Sequence, residues 1–151
     1  MHKQRIYIDT SVIGGCFDKP FEYWSNLLMN EFINGEKIAV ISRVTVDEVN
    51  QAPINVIQKL EEIPTESLEP LMISDEARIL AEHYISNKVV TRKFYEDALH
   101  IALATIAEVD VLVSWNFKHI VNLGRICKYN GINKFYGYGE LEIRTPMEVL
   151  K

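Results

Sequence analysis

The chain of 151 residues is short of cysteine, glycine and proline, carries no excess of positive charge and has no long apolar run. Its two cysteines, Cys16 and Cys127, lie far apart and form no metal-binding pair, which excludes a zinc-ribbon or disulfide-scaffold class. A disulfide between them has no support, and the expectation is two ordinary thiols in a reducing cytosol. There is no repeat, low-complexity tract or long linker, and the length fits a single domain over residues 1–151. No apolar stretch approaches the roughly 20 residues of a membrane-spanning helix. The amino end, MHKQRIYID, enters a strand-like segment with no secretory apolar core. These absences predict a cytoplasmic chain without membrane contact. A net charge of -5 excludes a protein that coats nucleic acid by bulk electrostatics.

Hydrophobic residues make up 48% of the chain and charged residues 25%, enough to bury a core without staples. The charges are uneven. Glu61, Glu62, Glu66, Glu69, Asp75, Glu76 and Glu82 face a single base, Arg78, in one stretch. Between Val111 and Gly139 there are Lys118, Arg125, Lys128 and Lys134 and no acid. A local basic face can therefore coexist with a negative total.

Strand-like and helical patterns alternate. Ile6, Tyr7 and Ile8 form an apolar run that suits the inside of a parallel sheet. Phe21 to Asn34 has helical spacing and stops at Asn34-Gly35. Lys37 to Ile41 reads as a strand, Thr45 to Ala52 as a helix ended by Pro53, and Ile54 to Glu62 as another helix. Leu68 to Ile73 reads as a short strand, and a helix begins at Ser74-Asp75-Glu76. Phe94 to Ala107 is the clearest helix and Val109 to Val113 the clearest strand. Phe117 to Tyr129 reads as helix, Glu140 to Arg144 as a last strand, and Pro146 as the first residue of a terminal helix. This order predicts an α/β fold, a three-layer sandwich with a mostly parallel central sheet. In such sheets sites form at the carboxyl ends of the strands, which directs attention to Asp9 and to Ser114-Trp115-Asn116.

Asp9 ends the first strand, and there it can cap a helix or ligate a metal. Glu48, in Thr45-Val46-Asp47-Glu48, matches a capping box with Thr45 as the cap, and it too can be a functional acid. Asp97 is the most informative. It lies in a helix apolar on nearly every face, where a carboxylate needs compensation. The helix dipole offers a little and a bound cation more. His100, one turn on, is read as a hydrogen-bonded structural histidine and left out of catalysis. Asn116 either caps the following segment or points its amide oxygen toward a metal or its water. Asp110 starts its strand and so reads as structural. A covalent phosphotransferase role for Asp9 is disfavoured, because Ser11 stands where such enzymes usually need a second Asp.

Taken in order, Ile8-Asp9-Thr10-Ser11, Thr45-Val46-Asp47-Glu48-Val49, Asp97-Ala98-Leu99-His100-Ile101-Ala102 and Leu112-Val113-Ser114-Trp115-Asn116 resemble the motifs of PIN-domain proteins, in particular VapC-type toxins of prokaryotic toxin–antitoxin pairs. The resemblance covers nearly the whole chain. It implies a PIN-like fold and a metal-dependent endoribonuclease in which Asp9, Glu48 and Asp97 gather around Mg²⁺ or Mn²⁺. Asn116 matches a position that carries Asp or Asn, and Thr10 or Ser11 matches a small hydroxyl residue near the first acid. The resemblance also implies RNA as substrate, a cognate antitoxin and a homodimer. Two departures stand out: position 116 is neutral, and His119 stands where some members have a further acid. Both leave open a catalytically weak or inactive protein that acts by binding RNA or protein. Lys118, Arg125 and Lys128, interleaved with aromatics, are the candidate RNA contacts.

Overall fold

The computed structural model describes residues 2–150; Met1 and Lys151, the ends of the expected domain, lie outside it. Five strands form one parallel sheet: β1 (Arg5–Ile8), β2 (Ile38–Ser42), β3 (Leu68–Leu71), β4 (Val111–Val113) and β5 (Ile143–Arg144), in the order β3-β2-β1-β4-β5. Tyr7 pairs with Val40 on one side and Leu112 on the other. The helices are α1 (Thr10–Gly14), α2 (Glu22–Ile33), α3 (Arg43–Asn50), α4 (Ile54–Glu61), α5 (Asp75–Ser86), α6 (Tyr95–Ile106), α7 (Leu123–Phe135) and α8 (Pro146–Val149).

Strand alternation sorts the core into two layers. Ile6, Ile8, Ala39, Ile41, Val111 and Val113 face α1, α2 and α4. Tyr7, Val40, Leu112 and Ile143 face α5, α6 and α7. Parallel strands covered on both faces read as apolar runs, and β4 is one throughout, as are β1 after Arg5 and β2 before Ser42. Helix α6 is buried from Ala98 to Thr105, which explains its nearly continuous apolar sequence. The predicted sandwich is the fold observed.

Several boundaries differ from the pattern reading. Ser42, not Thr45, is the N-cap of α3, and Thr45 takes the third helical position of the capping box. Glu48 therefore sits one turn deeper than the spacing implied, and its carboxylate is not a cap. The segment after β4 is a turn, and α7 begins only at Leu123, where the Asn122 side chain accepts from the Arg125 N–H. Helix α1 escaped the pattern because five residues carry no periodicity. Helix α2 does end at Asn34-Gly35, with Gly35 at φ 76°. Cys16 and Cys127 are free, one buried and one exposed. No helix among the described residues is long and apolar enough to cross a membrane.

Candidate active site

The order β3-β2-β1-β4-β5 reverses direction between β1 and β4, and open parallel sheets bind ligands outside the strand ends at that point. Asp9 follows β1 there and Ser114 follows β4. Asp9 occupies the N-cap position of α1 but makes no side-chain cap bond. Instead its Oδ1 accepts from the Ser11 hydroxyl at 2.6 Å and its Oδ2 from the Ser114 hydroxyl at 2.7 Å. Each oxygen keeps a further lone pair. Burial raises the Asp9 pKa, against the pull of His100 and the two serines, and Glu48 adds to the rise.

Glu48 reaches the same region from α3. Its Oε1 accepts from the Thr10 hydroxyl at 2.9 Å and lies 2.8 Å from His100 Nε2. Burial works to raise its pKa, but His100 and Thr10 outweigh burial and hold it below the usual carboxylate range. Asp97 lies in the first turn of α6, where free N–H groups favour an acid. Burial pushes its pKa up to about 6, with Asp9 and Glu48 adding to the rise, while His100 and a hydrogen bond from Asn116 pull the other way. The structure thus brings Asp9, Glu48 and Asp97 into one electrostatic neighbourhood. Two clefts, of about 470 and 380 Å³, meet at Glu48, and the second also reaches Asp97.

His100 is the residue that the sequence reading missed as part of the site. It is buried and hydrogen-bonded on both ring nitrogens, Nε2 to Glu48 and Nδ1 to the Tyr7 hydroxyl at 2.6 Å. Tyr7 in turn lies 2.7 Å from Ser42 Oγ. Burial opposes its charge, but Tyr7, Glu48 and Asp9 outweigh burial and raise its pKa well above the ordinary value. In the charged form both nitrogens donate, to Glu48 and to Tyr7, and the Tyr7 hydroxyl donates to Ser42 Oγ. The one signal in the sequence is the spacing of His100 three residues after Asp97, which puts both on one helix face.

Asn116 does what its capping alternative predicted. Its Oδ1 accepts from the His119 N–H at 2.9 Å and the Lys118 N–H at 3.2 Å. The amide oxygen is spent on the backbone, and Asn116 also helps to lower the pKa of Asp97. His119 follows in the same turn, with its ring on Phe94 at 3.7 Å and a buried Nδ1 that has no hydrogen-bond partner among the described residues. Asp110 binds the Arg5 N–H at 2.7 Å at the amino edge of the sheet, away from the strand ends that form the site. Of the expected RNA contacts, Lys118 and Lys128 are exposed. Arg125 is half-buried and donates to the Val89 carbonyl.

The donor set has the chemistry of a hard-cation site: carboxylate oxygens, with no thiol. With all three acids ionised and His100 charged the group would carry minus two, which a divalent ion would balance. Even so, no three Asp, Glu, His or Cys side chains among the described residues stand close enough to enclose one ion. Each acid is turned onto its own local donor, Asp9 onto serines, Glu48 onto His100 and Thr10, and Asp97 onto Asn116.

No protein-family model and no curated protein sequence matches the chain. Two of the solved structures that share its fold are the following. VapC20 of Mycobacterium tuberculosis, described as a toxin that cleaves the sarcin-ricin loop, matches with a TM-score of 0.58 at 8% identity over 90% of this chain and 98% of its own. A chain of VapBC2 from Rickettsia felis, solved bound to a DNA fragment from its promoter, matches with a TM-score of 0.57 at 16% identity over 94% of this chain and 98% of its own. The resemblance to VapC-type PIN domains holds at the level of the fold: a five-stranded parallel sheet between helices.

Proposed function

We propose that the chain, as one nuclease domain over residues 1–151, is a divalent-metal-dependent endoribonuclease and the toxin of a toxin–antitoxin pair. The observation that carries this reading is the approach of Asp9, Glu48 and Asp97, far apart in sequence, at the switch point of the sheet, where Glu48 adds to the raised pKa of Asp9 and both add to that of Asp97. Such perturbation in a cleft is a mark of functional carboxylates.

Asp9 and Asp97 would hold Mg²⁺ or Mn²⁺, with Glu48 completing the acid group. When bound, the ion would supply Lewis-acid polarisation of the scissile phosphate and of the attacking water. The chain's own groups do the positioning. Ser11 and Ser114 fix the two oxygens of Asp9. His100, held by Tyr7, fixes Glu48 in its ionised form, ready to accept a hydrogen bond from the nucleophilic water. Asn116 steadies Asp97. RNA would lie across the acid-free surface of Lys118, Arg125 and Lys128. A cognate antitoxin and a homodimer belong to the same proposal.

The test is cleavage of unstructured and structured RNA by the purified chain with Mn²⁺ and with a chelator. Metal-dependent cleavage that Asp97→Asn abolishes is expected. Full metal-dependent activity in that variant would remove Asp97 from the site. A second reading, a weak or inactive PIN-like protein that acts by binding, draws support from the separation of the acids. Calorimetric titration with Mn²⁺ that shows no binding, together with intact RNA, would favour it.

A further inference from the structure

Beside the acids stands an aromatic group that the proposed chemistry does not use. Trp115 is buried and fixed from two directions: its indole N–H donates to Ser25 Oγ at 2.8 Å, and its backbone N–H donates to Ser11 Oγ at 2.9 Å. Phe21 stacks on it with ring centres 4.4 Å apart and planes 20° from parallel. Phe117 completes the group, 6.3 Å from Phe21 and 6.2 Å from Trp115, and is 50% exposed. Gly15 makes the packing possible, because a Cβ there would fall 2.6 Å from Ser25 Oγ and 2.8 Å from the indole nitrogen. The turn that presents Phe117 is itself held, by Asn116 Oδ1 on the next two N–H groups. A large aromatic ring held half in solvent on a fixed turn is a contact surface.

Its position narrows the occupant. Ser11 binds both Asp9 and the Trp115 backbone, while Asn116, which meets Asp97, immediately precedes Phe117. Exposed Lys118 follows it, a cation suited to a phosphate. Flat aromatic faces with a neighbouring cation bind unpaired bases on a phosphate backbone. We propose that Phe21, Trp115 and Phe117 form a stacking subsite for one unpaired base of the RNA, next to the acid cluster, with Phe117 as the contact ring. This rests on the nuclease reading for its choice of RNA.

The test is equilibrium binding in a chelator, without cleavage, to short single-stranded RNAs, one set of which carries an abasic nucleotide moved along the strand. Phe117→Ala should weaken binding about tenfold, the cost of one stacked base. Phe117→Trp should retain affinity. The Phe117→Ala penalty should vanish when the abasic nucleotide reaches one particular position, and duplex RNA should show none. The proposal is overturned by unchanged affinity in Phe117→Ala, by an equal loss on duplex and on every abasic strand, or by wild-type protein that binds no single strand. A change confined to the protein's own association state would also overturn it, by making the patch a contact between copies. Because no metal is present, a failure of cleavage leaves this result standing, and the reverse holds too.

Discussion

A carboxylate that serves a reaction is often a burden on the fold, and Asp97 should show it. Its pKa is pushed up to about 6, whereas an unfolded Asp titrates near 4. Between these values the folded state keeps a proton that the unfolded state releases, so stability falls as pH rises through the window and stays reduced above it. Asp97→Asn should therefore raise the unfolding free energy at pH 7, by up to about 2 kcal/mol after allowance for partial exposure, with a higher melting temperature, and should flatten the slope between pH 4 and 6. A lower melting temperature would mean that the ionised acid stabilises the fold. His100 should behave in the opposite way. Leucine there leaves the Tyr7 hydroxyl with Ser42 as its remaining partner and strips Glu48 of its cation, at a cost of about 1–3 kcal/mol, while glutamine can keep a donor near Glu48. Equal melting temperatures for His100→Leu and His100→Gln would show that the contact with Glu48 carries no weight.

At the scale of elements, the chain follows local rules closely, and one departure is testable. Lys88, just past α5, takes a left-handed backbone with φ 59°, a conformation that costs a side chain about 1 kcal/mol and a glycine nothing. Lys88→Gly should raise thermal stability by up to that amount in a melting curve; a decrease would assign the lysine side chain a holding role. The strands and most helices were legible in the sequence because burial on both faces writes itself as apolar runs in β1, β2 and β4, half-burial as helical spacing in α2, and a cap as the Ser74-Asp75-Glu76 start of α5. Asp9 and Asp97 stood out because one ends such a pattern and the other breaks it, whereas Glu48 was singled out only by its motif. The position of α7 was not. Asn116 and Asn122 are both capping residues, and pattern reading took the first, which closes only a turn. The role of His100 was hidden for a different reason. Its partners are Glu48 and Tyr7, 52 and 93 residues away, and a histidine in an apolar helix has the same local signature whether it packs or positions.

For the whole molecule, the question is how a chain of net charge -5 would hold the RNA proposed for it. The topology answers in part, because the acids from Glu61 to Glu82 belong to α4, β3 and α5 and their connections, whereas the acid-free stretch supplies β4, the turn after it and α7. The candidate cations in that stretch are not equivalent. Lys134 is paired with Glu140 at 2.6 Å, and Arg125 is anchored on the Val89 carbonyl, so reversing Arg125 would disturb the fold as well as the surface. Lys118 and Lys128 are exposed and test the surface cleanly. Each phosphate contact adds close to one unit to the dependence of log affinity on log salt, somewhat less for a single strand. Lys118→Glu with Lys128→Glu should therefore weaken binding of single-stranded RNA in a chelator and lower that slope by about 1.5, while the melting temperature stays unchanged. An unaltered slope would place the RNA on another face, and Arg92 and Lys93, which line the cleft beside Asp97, would be the next residues to reverse.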